Sequence, residues 1–487
     1  MNIARKLTAN MAFAVGGRVL GAVMGLTTTA LLTRHLGPDL FGVYRTALAW
    51  AVTTCVIANL GLSVVTLREI SRPGADITRI VGTALSMRLG LGVFSVLLAA
   101  GIVLMLHSPG DIDPATLSRA ILIAGVGCLA TLGNEVVTTI FQSALAQARS
   151  SIAELAGGAV ALALTALCVV IDGGLMLFIA AASSGLVATF LVSAVLARPI
   201  APVRMCFDGT LARTLVVTGL PIFMSDIVGM VTLRLDTVML SLLSLPAEVG
   251  YYGVANKLRE VAIKLPYLFA AFLMPVLVQA LHDRALFDQR LRDSLVSVWV
   301  FAVGLMLALG CFADTIVALI AGDGFAPSVN VVRITGIALG AGCLTAVLQY
   351  AALSREKATQ VMRVHICAAI IALVGLFVLI PRFGASGAAW AVAAGETAFA
   401  IGLLPFASPN GLSALPWLRL LGVAVAGLLC VAIASALQAH QMPVYVTVPA
   451  VGGGYALFLL VTGMVKVEQI KLLLSRGSRR KNGEQPD

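Results

Sequence analysis

The chain is 487 residues long, 59% hydrophobic and only 11% charged, with a mean hydropathy of +1.00 and a formal net charge of +10. Soluble domains average about 25% charged residues, so composition argues against a water-soluble protein. The basic excess fits membrane topology and lipid contact, and not nucleic acid.

One membrane span needs roughly 20 apolar residues. In chain order, such runs fall at 10–33, 41–66, 80–106, 117–140, 152–171, 174–197, 213–243, 250–280, 294–320, 329–353, 363–380, 385–407, 418–438 and 444–465. The expected fold is an all-α polytopic membrane protein of about 14 transmembrane helices. Arg5-Lys6 before the first run superficially resembles a signal peptide. The run is too long and lacks a small-x-small cleavage site, so it reads as a retained span. Its Gly17, Gly21 and Gly25 ladder is expected to let neighbouring helices approach closely. Spans 363–380 and 385–407 are joined only by Pro381-Arg382-Phe383-Gly384. A single broken segment there would reverse everything after it.

Basic residues alternate between connections. Of the 33, 22 sit on one set, from Arg5 and Lys6 through Arg68, Arg149, Arg198, Arg284 and Arg355 to the tail beyond Lys466. Arg34, Arg45, Arg119, Arg333 and Arg382 fall on the other set. Lysine and arginine near span ends are retained on the cytoplasmic side, so both termini are expected there. The basic tail suits an anionic inner leaflet. Eight scattered cysteines without a Cys-x-x-Cys, and five dispersed histidines, give no basis for disulfides, a metal or a cofactor.

A short repeat runs through the chain. Pro38, Gly42 and Tyr44 share a Pro-x-x-x-Gly-x-Tyr spacing with Pro246, Gly250 and Tyr252. Each copy joins the first and second span of a six-span set. Two parallel six-helix lobes are therefore expected, 1–197 and 213–407, related by a pseudo-two-fold along the membrane normal. A cytoplasmic linker covers 198–212, two additional helices cover 408–465, and a basic cytoplasmic tail covers 466–487. Transporters built this way place the substrate at the repeat interface near the midplane.

LTRHLGPDLFGVY at 32–44, Arg68-Glu69-Ile70-Ser71-Arg72, Gly219-Leu220-Pro221, Gly250-Tyr251-Tyr252-Gly253 and Leu273-Met274-Pro275 carry a family likeness. The sequence resembles Wzx-type polysaccharide flippases of the multidrug/oligosaccharidyl-lipid/polysaccharide (MOP) exporter superfamily. That resemblance implies two lobes around a central cavity in the bacterial inner membrane. It also implies a lipid-linked (undecaprenyl-diphosphate) glycan as substrate, with membrane lipids, a polysaccharide polymerase and export machinery as partners. Lipid II flippases and ion-coupled small-molecule exporters belong to the same superfamily and stand as alternatives. A glycan polymerase or ligase should need a substantial outer loop, and every outer connection is short, so no enzyme is expected.

Charges inside the bilayer are costly and should face a cavity or a partner. The basic candidates are Arg18, Arg234, Lys257, Arg259 and Lys264, read as a cationic cavity for a diphosphate headgroup. Glu135, Asp236, Glu260 and Glu396 are candidates for ion coupling or charge pairing. Span geometry sets Asp236 opposite Lys257, puts Lys257, Glu260 and Lys264 on one helix face, and points Arg259 away. Each of these pairs either binds ligand or neutralises itself. Arg88 is expected to snorkel to the cytoplasmic interface. No phosphate-loop motif appears, so an ion gradient is the expected energy source.

Overall fold

The computed structural model describes residues 3–72, 74–105, 113–144, 146–440 and 442–461, excluding the side chains of 3–15, 221–222, 224–234, 414, 444 and 460–461. Among the described residues the secondary structure is helical, with no strand. The helices are α1 (Ile3–Cys55), α2 (Leu62–Ile70), α3 (Ile77–Met105), α4 (Pro114–Ser143), α5 (Gln147–Val170), α6 (Leu175–Ala197), α7 (Gly209–Leu243) and α8 (Pro246–Ala262). They continue as α9 (Lys264–Gln279), α10 (Arg284–Cys311), α11 (Ala313–Ile320), α12 (Ser328–Ser354), α13 (Ala358–Ala407), α14 (Trp417–Ala439) and α15 (Val444–Val461). Ten helices among the described residues are long and apolar enough to cross a membrane. The protein is a multi-pass membrane protein.

Two of those helices are hairpins. In α1 the backbone leaves the helical region at Gly37 (φ 69°, ψ 178°), and Pro38 restarts it. Only a residue without a Cβ adopts that φ cheaply, and proline suits the first position of a new helix. In α13 the break is at Gly384 (φ 53°, ψ −128°). A Cβ on Gly387 would run into the Leu379 carbonyl, and one on Gly375 would lie 3.0 Å from Ala391. Residues 375 and 391 would be about 24 Å apart in a straight helix, so the chain turns back here. The two expected spans therefore stand as separate helices.

Aspartates start several helices. Asp113, Asp208 and Asp283 each accept from two backbone amides of the first turn of α4, α7 and α10. A carboxylate there satisfies orphan donors and complements the helix dipole.

The chain divides into two compact units. The first comprises Met1–Val261, Thr315–Val331 and Ala369–Val392; the second comprises Ala262–Asp314, Val332–Ala368 and Ala393–Asp487. In the first unit a core forms from Leu62 and Val65 of α2, Val81 and Leu85 of α3, Ile140 and Phe141 of α4, and Leu215 of α7. Ala201 of the segment between α6 and α7 is part of it. In the second unit α14 and α15 pack on α10 through Val303, Leu307, Ala426, Cys430, Val451 and Tyr455.

The glycine ladder of α1 does not pack as expected. Gly21 has nothing within 4 Å of a built Cβ, while Gly17 faces Ser151 and Leu155 at 3.6 and 3.7 Å. Close helix approaches lie elsewhere: a Cβ on Gly185 of α6 would stand 2.5 Å from Ala161 Cβ of α5. Gly21 instead lines open space, because the face it shares with Gly25 borders a cavity.

Candidate functional site: a cationic cavity beside the first hairpin

Between the two arms of α1 lies a cavity of about 230 Å³. Gly21, Gly25, Thr28 and Thr29 come from one arm, Phe41, Tyr44, Arg45 and Leu48 from the other, with Gly158 and Ala161 of α5 and Lys257 of α8. The small residues explain the space. Thr28 and Thr29 turn their hydroxyls to their own helix, donating to the Met24 and Gly25 carbonyls at 2.8 and 2.9 Å. The cationic groups of the cavity are Arg45 and Lys257, with Tyr44 beside them.

The Lys257 side chain crosses Gly25, where a built Cβ would lie 3.6 Å from both Cε and Nζ. Its Nζ is 3.9 Å from Glu260 Oε2. Arg45 runs over Gly253, with Cγ and Nε 3.0 and 3.2 Å from a Cβ built there. The Arg45 Nε is buried without a hydrogen-bond partner among the described residues. A buried donor without a partner is costly, and is a place where a ligand acceptor is favoured.

Arg45 is the residue that sequence reasoning missed. The sequence places it on an outer connection, yet the second arm of α1 begins at Pro38. Seven residues of helix carry Arg45 about 10 Å past the turn. The Gly37-Pro38 pair was the available signal.

Asp236 is 2% exposed, and its partner differs from the expected one. Tyr252 donates its hydroxyl to Asp236 Oδ2 at 2.5 Å, and the Thr237 amide donates to Oδ1 at 2.6 Å. Arg259 Nη2 stands 3.7 Å from Oδ2 and also donates to Asn256 Oδ1 at 3.1 Å. Tyr252, Asn256 and Arg259 share a face by i+4 and i+7 spacing, whereas Lys257 is rotated off it. Asp236 thus pairs with Arg259, and Lys257 with Glu260.

The remaining sequence candidates are not among the described residues that line this cavity. Arg18 is exposed on α1, and the Arg234 side chain lies outside the described residues. Lys264 is exposed and belongs to the second unit, beyond the interruption between α8 and α9. Glu396 belongs to the second unit too, with Oε2 3.6 Å from a Cβ built on Gly342 of α12.

Arg88 does not snorkel; its side chain is fully buried. Nη1 donates to Glu135 Oε2 at 2.8 Å and to the Leu132 carbonyl at 3.3 Å. Nη2 donates to Ser63 Oγ at 2.6 Å and to Asn59 Oδ1. A break in the second span supplies these partners: a 3-10 turn at Val56–Ala58 is followed by Leu60 (φ 42°) and Gly61 (φ 65°) before α2 restarts. Gly219 of α7 lets a neighbouring backbone meet this break, since a Cβ there would lie 2.5 Å from the Leu60 carbonyl. Glu135 and Asn59 line a second cavity of about 280 Å³ with Cys55, Cys128 and Thr131. Snorkelling fails because a carboxylate and three further acceptors meet the guanidinium inside the bundle.

The profile of the polysaccharide biosynthesis protein family matches residues 7–281, more than half of the chain. The chain belongs to that family. Among curated proteins no sequence matches it. Its fold is similar to that of the lipid II flippase MurJ in an inward closed conformation, with a TM-score of 0.74 at 14% identity over 93% of this chain and 98% of that one. An inward-facing multidrug resistance MATE family transporter of the MOP superfamily gives 0.58 at 13% identity, over 88% and 96%. The MATE multidrug transporter DinF-BH gives 0.55 at 15% identity, over 82% and 94%. The fold is therefore shared with these solved structures.

Proposed function

We propose that this protein is a flippase that carries a lipid-linked oligosaccharide from the cytoplasmic to the periplasmic face of the inner membrane, and is not an enzyme. The observation that carries this reading is the cavity holding Arg45 and Lys257, taken with membership of the polysaccharide biosynthesis protein family. A diphosphate offers several anionic oxygens. Arginine meets them with a planar fork of donors and lysine with a compact charge. The glycan would occupy the aqueous path while the isoprenoid tail stays in the bilayer.

In this reading 1–197 and 213–407 act as two lobes joined by 198–212, both termini are cytoplasmic, and an ion gradient supplies the energy. Lys257 is retained from the sequence candidates and Arg45 joins it. Arg259 serves Asp236, and Glu135 serves Arg88 as counter-ion. Arg18, Arg234 and Lys264 remain proposed contacts along the path, and Glu396 a proposed coupling group. Likeness of fold to a lipid II flippase makes lipid II the natural comparator passenger.

The test is surface polysaccharide made by cells that carry only a variant copy. Arg45→Ala and Lys257→Ala should each lower export by roughly tenfold or more, the scale of one charge-assisted hydrogen bond. Arg45→Lys should recover part of it. Full export by both alanine variants at normal protein levels would overturn the site.

A further inference from the structure

A third cavity, of about 330 Å³, lies wholly within the second unit, between α10, α12, α14 and the arm of α13 beyond Gly384. Leu295, Met306, Ile337, Leu348 and Leu404 are among its walls, and Thr397 supplies the one hydroxyl among the described lining residues. Its two indoles are satisfied by backbone: Trp299 donates to the Leu420 carbonyl and Trp417 to the Leu412 carbonyl, both at 3.0 Å. The cavity is elongated. Leu295 to Met306 on α10 and Ile337 to Leu348 on α12 each cover about three turns, roughly 16 Å along the helix. Half of a ~30 Å hydrocarbon core is about 15 Å, so this channel matches the depth of one leaflet.

One end is closed and one side is open. Two turns before Leu295, on the same face of α10, buried Asp288 accepts from Ser408 Oγ and Asn410 Nδ2, both at 2.6 Å. A polar cluster of that kind stops an apolar chain. Ile401 of α13 and Trp417 of α14, by contrast, are exposed lining residues, so the channel opens sideways towards lipid. Trp417 stands in the first turn of α14, and an indole at the end of a span sits at headgroup level. Arg284 and Arg419 lie in the first turns of α10 and α14, and Arg355 follows the last residue of α12.

We propose that this channel is a binding site for a membrane phospholipid, which lays one acyl chain between α10, α12, α13 and α14. The chain enters past Ile401 and Trp417. Its phosphate stays at the helix ends, where Arg284, Arg355 and Arg419 complement the charge. Three properties select this occupant. Water gains little in a cavity with one hydroxyl, and an empty cavity forfeits the contacts of its walls. The depth equals one leaflet, which is the reach of an acyl chain. A polyprenyl tail is longer than the channel and branched at every isoprene unit, so it fits less well. The bound chain packs against Trp417 and Leu420, and so helps to hold α14 on the second unit.

The experiment measures no transport, so its outcome is independent of the flippase reading. It uses the full-length protein in detergent with Trp50→Phe, Trp390→Phe and Trp417→Phe, which leaves Trp299 as the reporter. The probe is phosphatidylethanolamine with brominated acyl chains, whose bromines quench an indole on contact. Quenching should saturate at one lipid per protein, and unbrominated phosphatidylethanolamine should reverse it. Ala341→Phe, which fills the channel from α12, should weaken binding at least roughly tenfold. Quenching that rises without saturation, or that Ala341→Phe leaves unchanged, overturns the site. Reversal by a polyprenyl phosphate in preference to the phospholipid overturns it too, and gives the channel to the passenger's tail. The unsubstituted protein supplies a second measurement that does not depend on any variant folding. Exhaustive delipidation should lower its thermal midpoint, and a single equivalent of phosphatidylethanolamine should restore it. An absence of recovery overturns the site as well.

Discussion

Arg88 shows what one buried charge demands of its surroundings. Its guanidinium is fully buried and four donor contacts hold it, three of them to α2, its preceding turn and Glu135. Removing it would leave Glu135, Asn59 and Ser63 facing an empty site. Arg88→Ala should therefore cost on the order of 3 kcal/mol or more, read as a lowered thermal midpoint in detergent. Glu135→Gln should cost less, because that carboxylate is 44% exposed. If Arg88→Ala unfolds like the parent, the network is incidental. The sequence marked both residues as intramembrane charges but not as partners. They are 47 positions apart, and the break at residues 56–61 that brings Asn59 to them has no signature beyond Leu60-Gly61. Arg45 was hidden differently: a charge close to a turn looks like a loop charge until the helix start at Pro38 is placed.

At the scale of elements, close packing decides stability in the bilayer, where burial of apolar surface gives little drive between helices. The α5–α6 contact relies on Gly157 and Gly185. A Cβ on Gly157 would run into Thr189 Oγ1, and one on Gly185 would meet the Gly157 carbonyl at 2.8 Å. Gly157→Val should destabilise the protein by about 1–3 kcal/mol through overpacking, seen in the same thermal measurement. Gly21→Ala, which meets nothing, should leave the midpoint unchanged. The glycine spacing in α1 was legible as a packing ladder, but spacing cannot say which face borders a cavity.

The connection from α6 to α7 is held just as firmly. Ser86 donates to the Cys206 carbonyl at 3.0 Å, and Arg79 pairs with Asp208, which also caps α7. Hydrogen bonds from Thr210, then from Arg79 and the Leu211 amide, hold the Asp208 carboxyl well below the usual carboxylate range. A carboxyl depressed in the folded state contributes stability above its unfolded value near ~3.9, and loses it as pH falls below that value towards the folded one. The thermal midpoint of the parent should thus fall between about pH 5 and pH 3 more steeply than that of Asp208→Asn. Parallel curves would remove Asp208 from the account.

The whole molecule repeats its devices. In the first unit Arg149 donates to the Leu196 carbonyl at 2.9 Å, closing the end of α6. In the second, Arg355 donates to the Phe406 carbonyl at 2.7 Å, closing the end of α13. Asp76 accepts from the Arg79 amide before α3, and Asp283 accepts from the Ala285 and Leu286 amides at the start of α10. These pairs recur at nearly the spacing of the Pro-x-x-x-Gly-x-Tyr turns. The all-helical, many-span fold was legible because hydropathy is a bilayer requirement applied along the whole chain. The short repeat was legible only at the turns, where proline and glycine are required by backbone geometry. Arg149 and Arg355 have no surrounding pattern that would have paired them.

Transport of a lipid diphosphate through the Arg45–Lys257 cavity is the central claim, and reconstitution tests it most directly. Purified protein in proteoliposomes should move a fluorescent polyprenyl-diphosphate glycan between leaflets, read as loss of protection from a membrane-impermeant quencher. The parent should favour the diphosphate over the matching monophosphate, and Arg45→Ala should slow the diphosphate by roughly tenfold or more while narrowing that preference. Equal movement of diphosphate and monophosphate, unaffected by Arg45→Ala, would contradict the account.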